Sequence, residues 1–412
     1  MLPAGTPLPD WLTWLETLSP NEIDLGLDRV HAVMARLPLE FPDHVLVIAG
    51  TNGKGSSVAI ATALLQAAGY ETGAYTSPHI IDYNERIAIG GRLASDDEIV
   101  AAFEAIEAVR DGVPLTYFEY GTLAAFVLFS KANLDVWVLE VGMGGRLDAV
   151  NAVDPTAALI TNVALDHCDW LGNDMETIAA EKAGVMRKDI PVVFGGSDLP
   201  EAIADNAETV GARLLLPGRD FDADGLPQPG LRGDFQVQNA AAVIALLEAA
   251  GLSNATDAEL VGEVLPRVQL NGRSQRVVAN GTQWYLDVAH NPAAAAMLAA
   301  TLGESQRDGE TIAIIGMLDD KDVEGVTAPL DEYISRWIAV AADSHRAIPA
   351  AELARRIANH NNRPCLVAGS LSEALEIAGQ WTGENDTILV TGSFYLVGPV
   401  LQQLELYSRP ET

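Results

Sequence analysis

Short apolar runs alternate with stretches of helical periodicity along most of this chain, the pattern of an α/β protein with parallel sheets. Apolar runs at His44–Ala49, Asp135–Val141, Ala157–Val163 and Pro191–Phe194 predict buried strands. Ser56–Ala68, Glu119–Ala132, Glu176–Arg187 and the Ala-rich Gln236–Ala250 predict helices. A second alternating series begins after about residue 272, with strands expected at Trp284–Val288, Thr311–Ile315, Trp337–Ala341, Cys365–Val367 and Thr387–Val390. Asn291 followed by Pro292 reads as a helix start, and Ser370 with Glu373 as a capping box. An Asn-Gly turn interrupts the pattern near Leu270–Ser274. It predicts a first domain over 1–270, a linker at 271–275 and a smaller Rossmann-like α/β domain over 276–412. The Gly-, Pro- and Asp-rich Gly218–Gly233 segment reads as a long loop.

Composition adds mainly exclusions. The chain has 412 residues and a formal charge of -32, from 57 acidic and 25 basic residues. Such acidity excludes a binder of nucleic acid or of anionic membrane, since both require a basic face. The apolar runs fall short of the roughly 20 residues of a membrane span. With no basic apolar leader at Met1–Leu18, a cytoplasmic protein is expected. Cys168 and Cys365 lie far apart and suggest neither a disulfide framework nor a thiolate metal site.

The chemistry concentrates at predicted strand ends. Gly50-Thr51-Asn52-Gly53-Lys54-Gly55-Ser56 follows a strand and opens a helix, the context of a phosphate-binding loop. Its glycines let backbone N–H groups curl around phosphate oxygens, Lys54 adds a point charge, and Ser56 suits a metal ion. An extra glycine between Lys54 and Ser56 departs from the usual loop. Only five lysines occur, so one placed in a glycine turn is notable. Glu140 ends the next strand, where a metal-binding carboxylate belongs. His167 follows the strand after that, with Asp166 placed to orient it. Lys182 lies on a predicted helix and, from spacing alone, reads as a solvated cation.

Eight motifs occur in order: Gly50–Ser56, Ser77-Pro78-His79 with Asn84-Glu85-Arg86, Glu140–Asp148, Leu165–Leu171, Glu181–Val185, Asp287–Pro292, Gly316–Asp322 and Thr391–Phe394. Together they resemble the bifunctional dihydrofolate synthase/folylpolyglutamate synthase family of the Mur-ligase superfamily. The resemblance implies a P-loop Mur-ligase-type central domain and an ATP-dependent ligase that activates a carboxylate as an acyl phosphate. It further implies attack by L-glutamate, with dihydropteroate and tetrahydrofolate polyglutamates as the other substrates. By that resemblance Asn52, Gly53, Lys54, Gly55, Ser56, Asn239, Arg273 and Asp287 contact the nucleotide. Ser77, Glu140 and His167 would bind one Mg²⁺, with Ser56 near a second. Lys182 matches the lysine that CO₂ carbamylates into a further metal ligand, and His290 would help place glutamate or phosphate. Lys54, Lys182 and His290 are thus the implied catalytic groups. The pterin segments would be Leu27, Asp28, Arg29 and Val30; Phe118, Glu119, Tyr120 and Gly121; and Leu147, Asp148 and Ala149.

The family linker Pro-Gly-Arg-Phe-Gln reads Asn271-Gly272-Arg273-Ser274-Gln275, which should loosen the turn and remove an aromatic. The rival readings are a superfamily ligase acting on UDP-linked sugar peptides and a P-loop NTPase that moves a partner. The first would carry a nucleotide-sugar domain before its P-loop, where 49 residues stand here; the second lacks a recognisable switch. A monomer is expected, with a local basic cleft set in an acidic shell.

Overall fold

The computed structural model describes all residues except 1, 4, 20–22, 280, 305–308, 362, 384 and 408–412. Its two sheets follow the two alternating series. The first holds β1 (His44–Ala49), β2 (Thr72–Tyr75), β3 (Ile87–Ile89), β4 (Arg92–Leu93), β5 (Val136–Glu140), β6 (Ala157–Ile160), β7 (Pro191–Phe194) and β8 (Arg213–Leu215), in spatial order β4-β3-β2-β5-β1-β6-β7-β8. The second holds β9 (Gln275–Ala279), β10 (Thr282–Leu286), β11 (Thr311–Ile315), β12 (Arg336–Ala339), β13 (Cys365–Val367) and β14 (Thr387–Thr391), in order β13-β12-β11-β14-β10-β9.

Both sheets are mostly parallel, as the alternation requires. The exceptions are hairpin edges: β2, β3 and β4 pair antiparallel, as do β9 and β10. The first hairpin edge has no strong periodic signal, being two short strands around Gly90-Gly91. β9 begins inside the expected linker, so the chain enters the second sheet without a free connection.

Period two along the central strands feeds two cores, one on each face. In β1, Val45, Val47 and Ala49 join one apolar cluster while Leu46 and Ile48 join the other. In β11, Ala313 and Ile315 separate from Ile312 and Ile314 in the same way. Strands buried on both faces read as continuous apolar runs, which is why they were legible.

Helix ends follow their capping chemistry. Asn291 accepts from the Ala294 N–H at 2.9 Å with Pro292 behind it. Ser370 accepts from the Glu373 N–H at 3.2 Å, but Glu373 returns its carboxylate to Gly369 rather than Ser370. The helix expected over Glu176–Arg187 spans Met175–Ala183. It stops because Gly184 lies against Arg146, where a side chain would collide, and Arg187 turns away to Asp154. Gly218–Gly233 forms no regular element beyond an isolated bridge from Pro217 to Phe221.

In each sheet the strand order switches at the centre: β5 and β6 flank β1, and β14 sits between β10 and β11. Loops at the carboxyl ends of strands at such a switch diverge and leave a crevice. Ile80 and Ile81, which follow β2, pack among apolar residues of the second sheet's core. The two crevices face each other across one cleft lined from both sides.

Candidate active site

The glycine loop is held by the end of β6. The Thr51 N–H donates to the Asn162 carbonyl at 3.1 Å, and the Asn52 N–H donates to Asn162 Oδ1 at 3.0 Å. Thr161 Oγ1 donates to the Asn52 carbonyl at 2.6 Å. Gly50, at φ 142°, passes so close to Thr161 Oγ1 that a Cβ has no room. Gly53, at φ 85°, caps the helix Lys54–Ala67, whose amino terminus opens into the cleft. Lys54 folds over this loop and donates to the Gly50 and Thr51 carbonyls at 3.0 and 3.2 Å. Burial lowers its pKa, although Glu140 and Asp166 oppose that shift. Behind the loop, Gln236 donates to Ser56 Oγ at 3.3 Å, and Asn239 donates to Gln236 at 3.1 Å with its amide against Gly53.

Glu140 ends β5 facing this loop. Its carboxylate is buried and accepts the Ser77 N–H at 3.1 Å. Burial pushes its pKa up, with Lys54 opposing. His167 stands in a left-handed conformation at φ 51°, and burial draws its pKa down to about 4. Lys182 lines the same cleft and is 2 % exposed, so it is not the solvated helix cation that spacing suggested. It has no hydrogen-bond partner among the described residues. Burial, then the nearby Lys54 charge, brings its pKa down to about 7. Among the described residues no three His, Cys, Asp or Glu side chains group to hold a metal. The donors at this corner are Glu140 and His167, with Ser77 and Lys182 beside them.

The second sheet supplies the facing wall. Arg273 lies with its guanidinium 4.8 Å from the Phe394 ring centre. Burial lowers its pKa, with Asp287 opposing. Asp287 holds the linker turn by accepting from the Ser274 N–H at 2.8 Å and from the Ala289 N–H at 2.8 Å. The Asn271 and Ser274 departures therefore do not loosen the turn: Ser274 is buried in a left-handed conformation and bonded to Asp287. The linker itself has no aromatic; the ring beside Arg273 is that of Phe394. His290 pairs its Nδ1 with the Val288 carbonyl at 2.8 Å and points Nε2 toward Asp166, 3.5 Å away.

Asp166 was expected to orient His167. Instead its side chain reaches across the cleft, keeping the His167 backbone N–H at 2.9 Å while the His167 ring Nε2 is left 4.0 Å away. It accepts from Lys321 Nζ at 2.7 Å and from Asn291 Nδ2 at 2.8 Å. Asn291 and Asn52 also exchange side-chain amide bonds at 3.0 and 3.2 Å. Sequence reading assigned Asn291 only a capping role and counted Lys321 among the cations of the local basic cleft, without a partner. A lysine within Gly316–Asp322 of a lysine-poor chain carried that signal; its Asp166 partner comes only from the fold.

None of the expected pterin residues lines this cleft directly; Phe118 abuts it through Gly142. The Phe118 ring lies against Gly142, a cleft residue, where a Cβ would stand 2.5 Å from its Cζ. Arg29 pairs with Glu119 at 2.9 Å, tying the helix Asp28–Met34, capped at Leu27, to the helix Tyr117–Ala132. Other members are core groups in this conformation. Val30 and Tyr120 are 0 % exposed, and Tyr120 donates to the Phe103 carbonyl. Gly121 lies against Tyr83, and Ala149 is buried, while Leu147 sits in the turn between them and the cleft. Asp148 spends its carboxylate on the Met143 and Val150 N–H groups, and burial lifts its pKa to about 6. Among them, Phe118 is the one whose ring lies against a residue that lines the cleft, Gly142.

The comparisons agree with this architecture. Residues 48–193 match the Mur ligase middle domain, and residues 272–394 the Mur ligase glutamate ligase domain. The dihydrofolate synthase/folylpolyglutamate synthase of Escherichia coli K12 is 39 % identical over 98 % of this chain and 96 % of its own length. The E. coli FolC structure in complex with DHPP and ADP matches with a TM-score of 0.92 at 38 % identity, covering 98 % of this chain and 99 % of that one. The Yersinia pestis folylpolyglutamate synthase/dihydrofolate synthase complexed with AMPPNP and Mn ion matches with a TM-score of 0.90 at 39 % identity, covering 98 % and 100 %. A two-sheet cleft joining a glycine loop to a glutamate ligase domain, with matches over nearly the whole chain, places this protein in the dihydrofolate synthase/folylpolyglutamate synthase family of ATP-dependent ligases.

Proposed function

We propose that this chain joins L-glutamate to dihydropteroate and to the γ-carboxylate of folate tails, driven by ATP. The observation that carries the reading is the cleft itself. A phosphate loop with Lys54 and a carboxylate corner at Glu140 face Arg273, His290 and Lys321 of the glutamate ligase domain. Two anions, a phosphoryl group and a carboxylate, must meet there. Residues 1–270 and 276–412 act as the two domains, and the chain works as a cytoplasmic monomer.

The glycine-loop N–H groups and Lys54 hold the phosphates, and Arg273 with Asp287 and Asn239 position the nucleotide from both sides. Phe118 stacks on the pterin from its place against Gly142. A carboxylate is a poor acyl donor, so phosphorylation splits one difficult step into two. Lys54 then neutralises charge as it builds on the transferring group. His290 and Lys321 bring the glutamate amine to the acyl phosphate, and phosphate leaves.

The corner fits a divalent cation. Glu140 offers a buried carboxylate with a single donor from Ser77, and His167 offers a neutral imidazole at neutral pH. Lys182, buried and without an acceptor, is explained by reaction of its neutral amine with CO₂. The resulting carbamate supplies the second anionic oxygen ligand this corner otherwise lacks. Ser77, Glu140, His167 and carbamylated Lys182 would hold one Mg²⁺, and Ser56 a second beside the phosphates. When bound, the metal draws charge off the phosphoryl and carboxylate oxygens.

The test is product analysis with ATP, Mg²⁺, L-glutamate and either dihydropteroate or tetrahydrofolate. The reading expects each product heavier by one glutamyl residue, with ADP and phosphate formed in equal amounts. ATP hydrolysis indifferent to pterin and glutamate overturns it. Activity on tetrahydrofolate alone removes the dihydropteroate half.

A further inference from the structure

Arg86 is buried, at 8 % exposed, yet no carboxylate of any described residue forms a salt bridge with it. Its guanidinium lies 5.4 and 5.7 Å from the ring centres of Tyr83 and Tyr117. Its Nε–H donates to His79 Nδ1 at 2.9 Å, so His79 meets it as a neutral acceptor, and Tyr75 is its other hydrogen-bonded neighbour. Cation–π contacts offset only a part of the desolvation that a buried charge incurs. A buried guanidinium ringed by neutral groups is a site prepared for an anion.

The sheet order identifies which anion. Arg86 immediately precedes β3, and β2 and β5 separate β3 from β1, whose end carries the phosphate loop. Nucleotide phosphates therefore belong on the far side of Glu140. Incoming glutamate belongs to the opposite wall, with His290 and Lys321. Arg86 sits instead against Tyr117, the chain neighbour of Phe118, close enough for its charge to be felt at Glu140 and by Tyr395 of the facing wall. The organic acceptor spans that interval. Dihydropteroate has one carboxylate, which is consumed in the reaction. A glutamyl terminus has a second, the α-carboxylate, joined to the reacting γ-carboxyl through Cα, Cβ and Cγ, and it stays anionic throughout.

We infer that Arg86 binds the α-carboxylate of the terminal glutamyl residue of the folate substrate, and so sets the preference for tail extension over the first glutamate addition. This assignment rests on the ligase reading above. Arg86→Gln should lower the ratio of kcat/KM for tetrahydropteroyl-glutamate over dihydropteroate by about tenfold to a hundredfold, mainly through KM, as expected for loss of a charge-assisted hydrogen bond. Arg86→Lys should restore part of that ratio. The substrate-side test needs no variant: tetrahydropteroyl-glutamate with its α-carboxylate converted to carboxamide should bind wild type weaker by the same factor. Arg86→Gln should no longer distinguish acid from amide. An unchanged ratio in Arg86→Gln, or equal binding of acid and amide by wild type, overturns the assignment. If wild type ligates neither substrate, the ligase reading falls instead. If Arg86→Gln does not fold, the acid–amide comparison on wild type still decides.

Discussion

Lys182 shows how little a residue's sequence neighbours say about its chemistry. A lysine on a helix is solvated by default, yet this one is 2 % exposed and lies in the field of a second cation, Lys54. Its folded pKa, about 7, lies below the unfolded value near 10.4, so the unfolded chain binds the extra proton between those values. The metal-free, CO₂-free protein should therefore gain stability as pH rises from 7 toward 10, and the cost of burying the cation should be fully present below pH 7. Lys182→Met should lack that part of the slope. Denaturant midpoints of both proteins across this range measure it, and parallel slopes would contradict the buried ammonium. In catalysis Lys182→Ala should lower kcat at least about a thousandfold, near 4 kcal/mol in barrier. A small added carboxylate should restore part of it; near-normal kcat would make the lysine a bystander. Lys54→Ala should cost about 10²- to 10³-fold in kcat as phosphate-charge neutralisation is lost. Single-turnover ATP consumption measures that loss.

Among elements, the central strands were read almost to the residue because they are apolar on both faces. β1, β7 and β11 have the expected bounds, and so does the half-exposed edge strand β13. The hairpin edges and the early end of the helix at Ala183 were missed because pairing partners and the Gly184–Arg146 approach are long-range facts. Glycines in the site motifs were recognised as a pattern, but each has its own reason. Gly50 avoids Thr161 Oγ1, and Gly142 leaves room for the Phe118 ring. Gly142→Ala should push that ring out of place and raise KM for dihydropteroate by about tenfold, with a smaller change for ATP, near 1.4 kcal/mol of binding. Equal changes for both ligands would mean the whole loop had shifted, against the assignment of Phe118 to the pterin.

Across the whole molecule Asp166 ties the two domains together inside the cleft, and Glu85 does so at its edge by accepting from the Tyr407 hydroxyl at 2.8 Å. Burial pushes the Asp166 pKa up, but the His290 hydrogen bond and neighbouring positive charge, Lys321 at 2.7 Å foremost in the cleft, overcome this and hold it well below the ordinary carboxylate range. A depressed carboxylate stabilises the clasp at neutral pH and loses that contribution as pH falls. Asp166→Asn leaves the Lys321 ammonium, 6 % exposed, with Asp320 as its remaining carboxylate and weakens the Asn52–Asn291 contact beside it. The variant should adopt a more open arrangement, seen by solution scattering as a larger radius of gyration with an ATP analogue bound. An unchanged radius would place closure elsewhere. The cleft also resolves the acidity of the chain. Its lining carries Lys54, Lys182, Arg273 and Lys321 against Glu140, Asp166 and Asp287, four cations to three acids, in a chain of net charge -32. The surplus acid lies outside the cleft, where it favours solubility over encounter with anionic substrates.

The fold class, the phosphate loop and the order of the ligase motifs needed only the linear chain, because periodicity and glycine spacing are local properties of the backbone. The burial of Lys182, the turning of Asp166 away from the His167 ring, the Asn52–Asn291 contact and the carboxylate-free cage around Arg86 belong to the folded molecule. Each depends on which side chains arrive from the other sheet or from a distant strand, and on how much water they exclude. Desolvation and cross-domain pairing, absent from any short window of sequence, turn an ordinary lysine, aspartate and arginine into the groups on which this site depends.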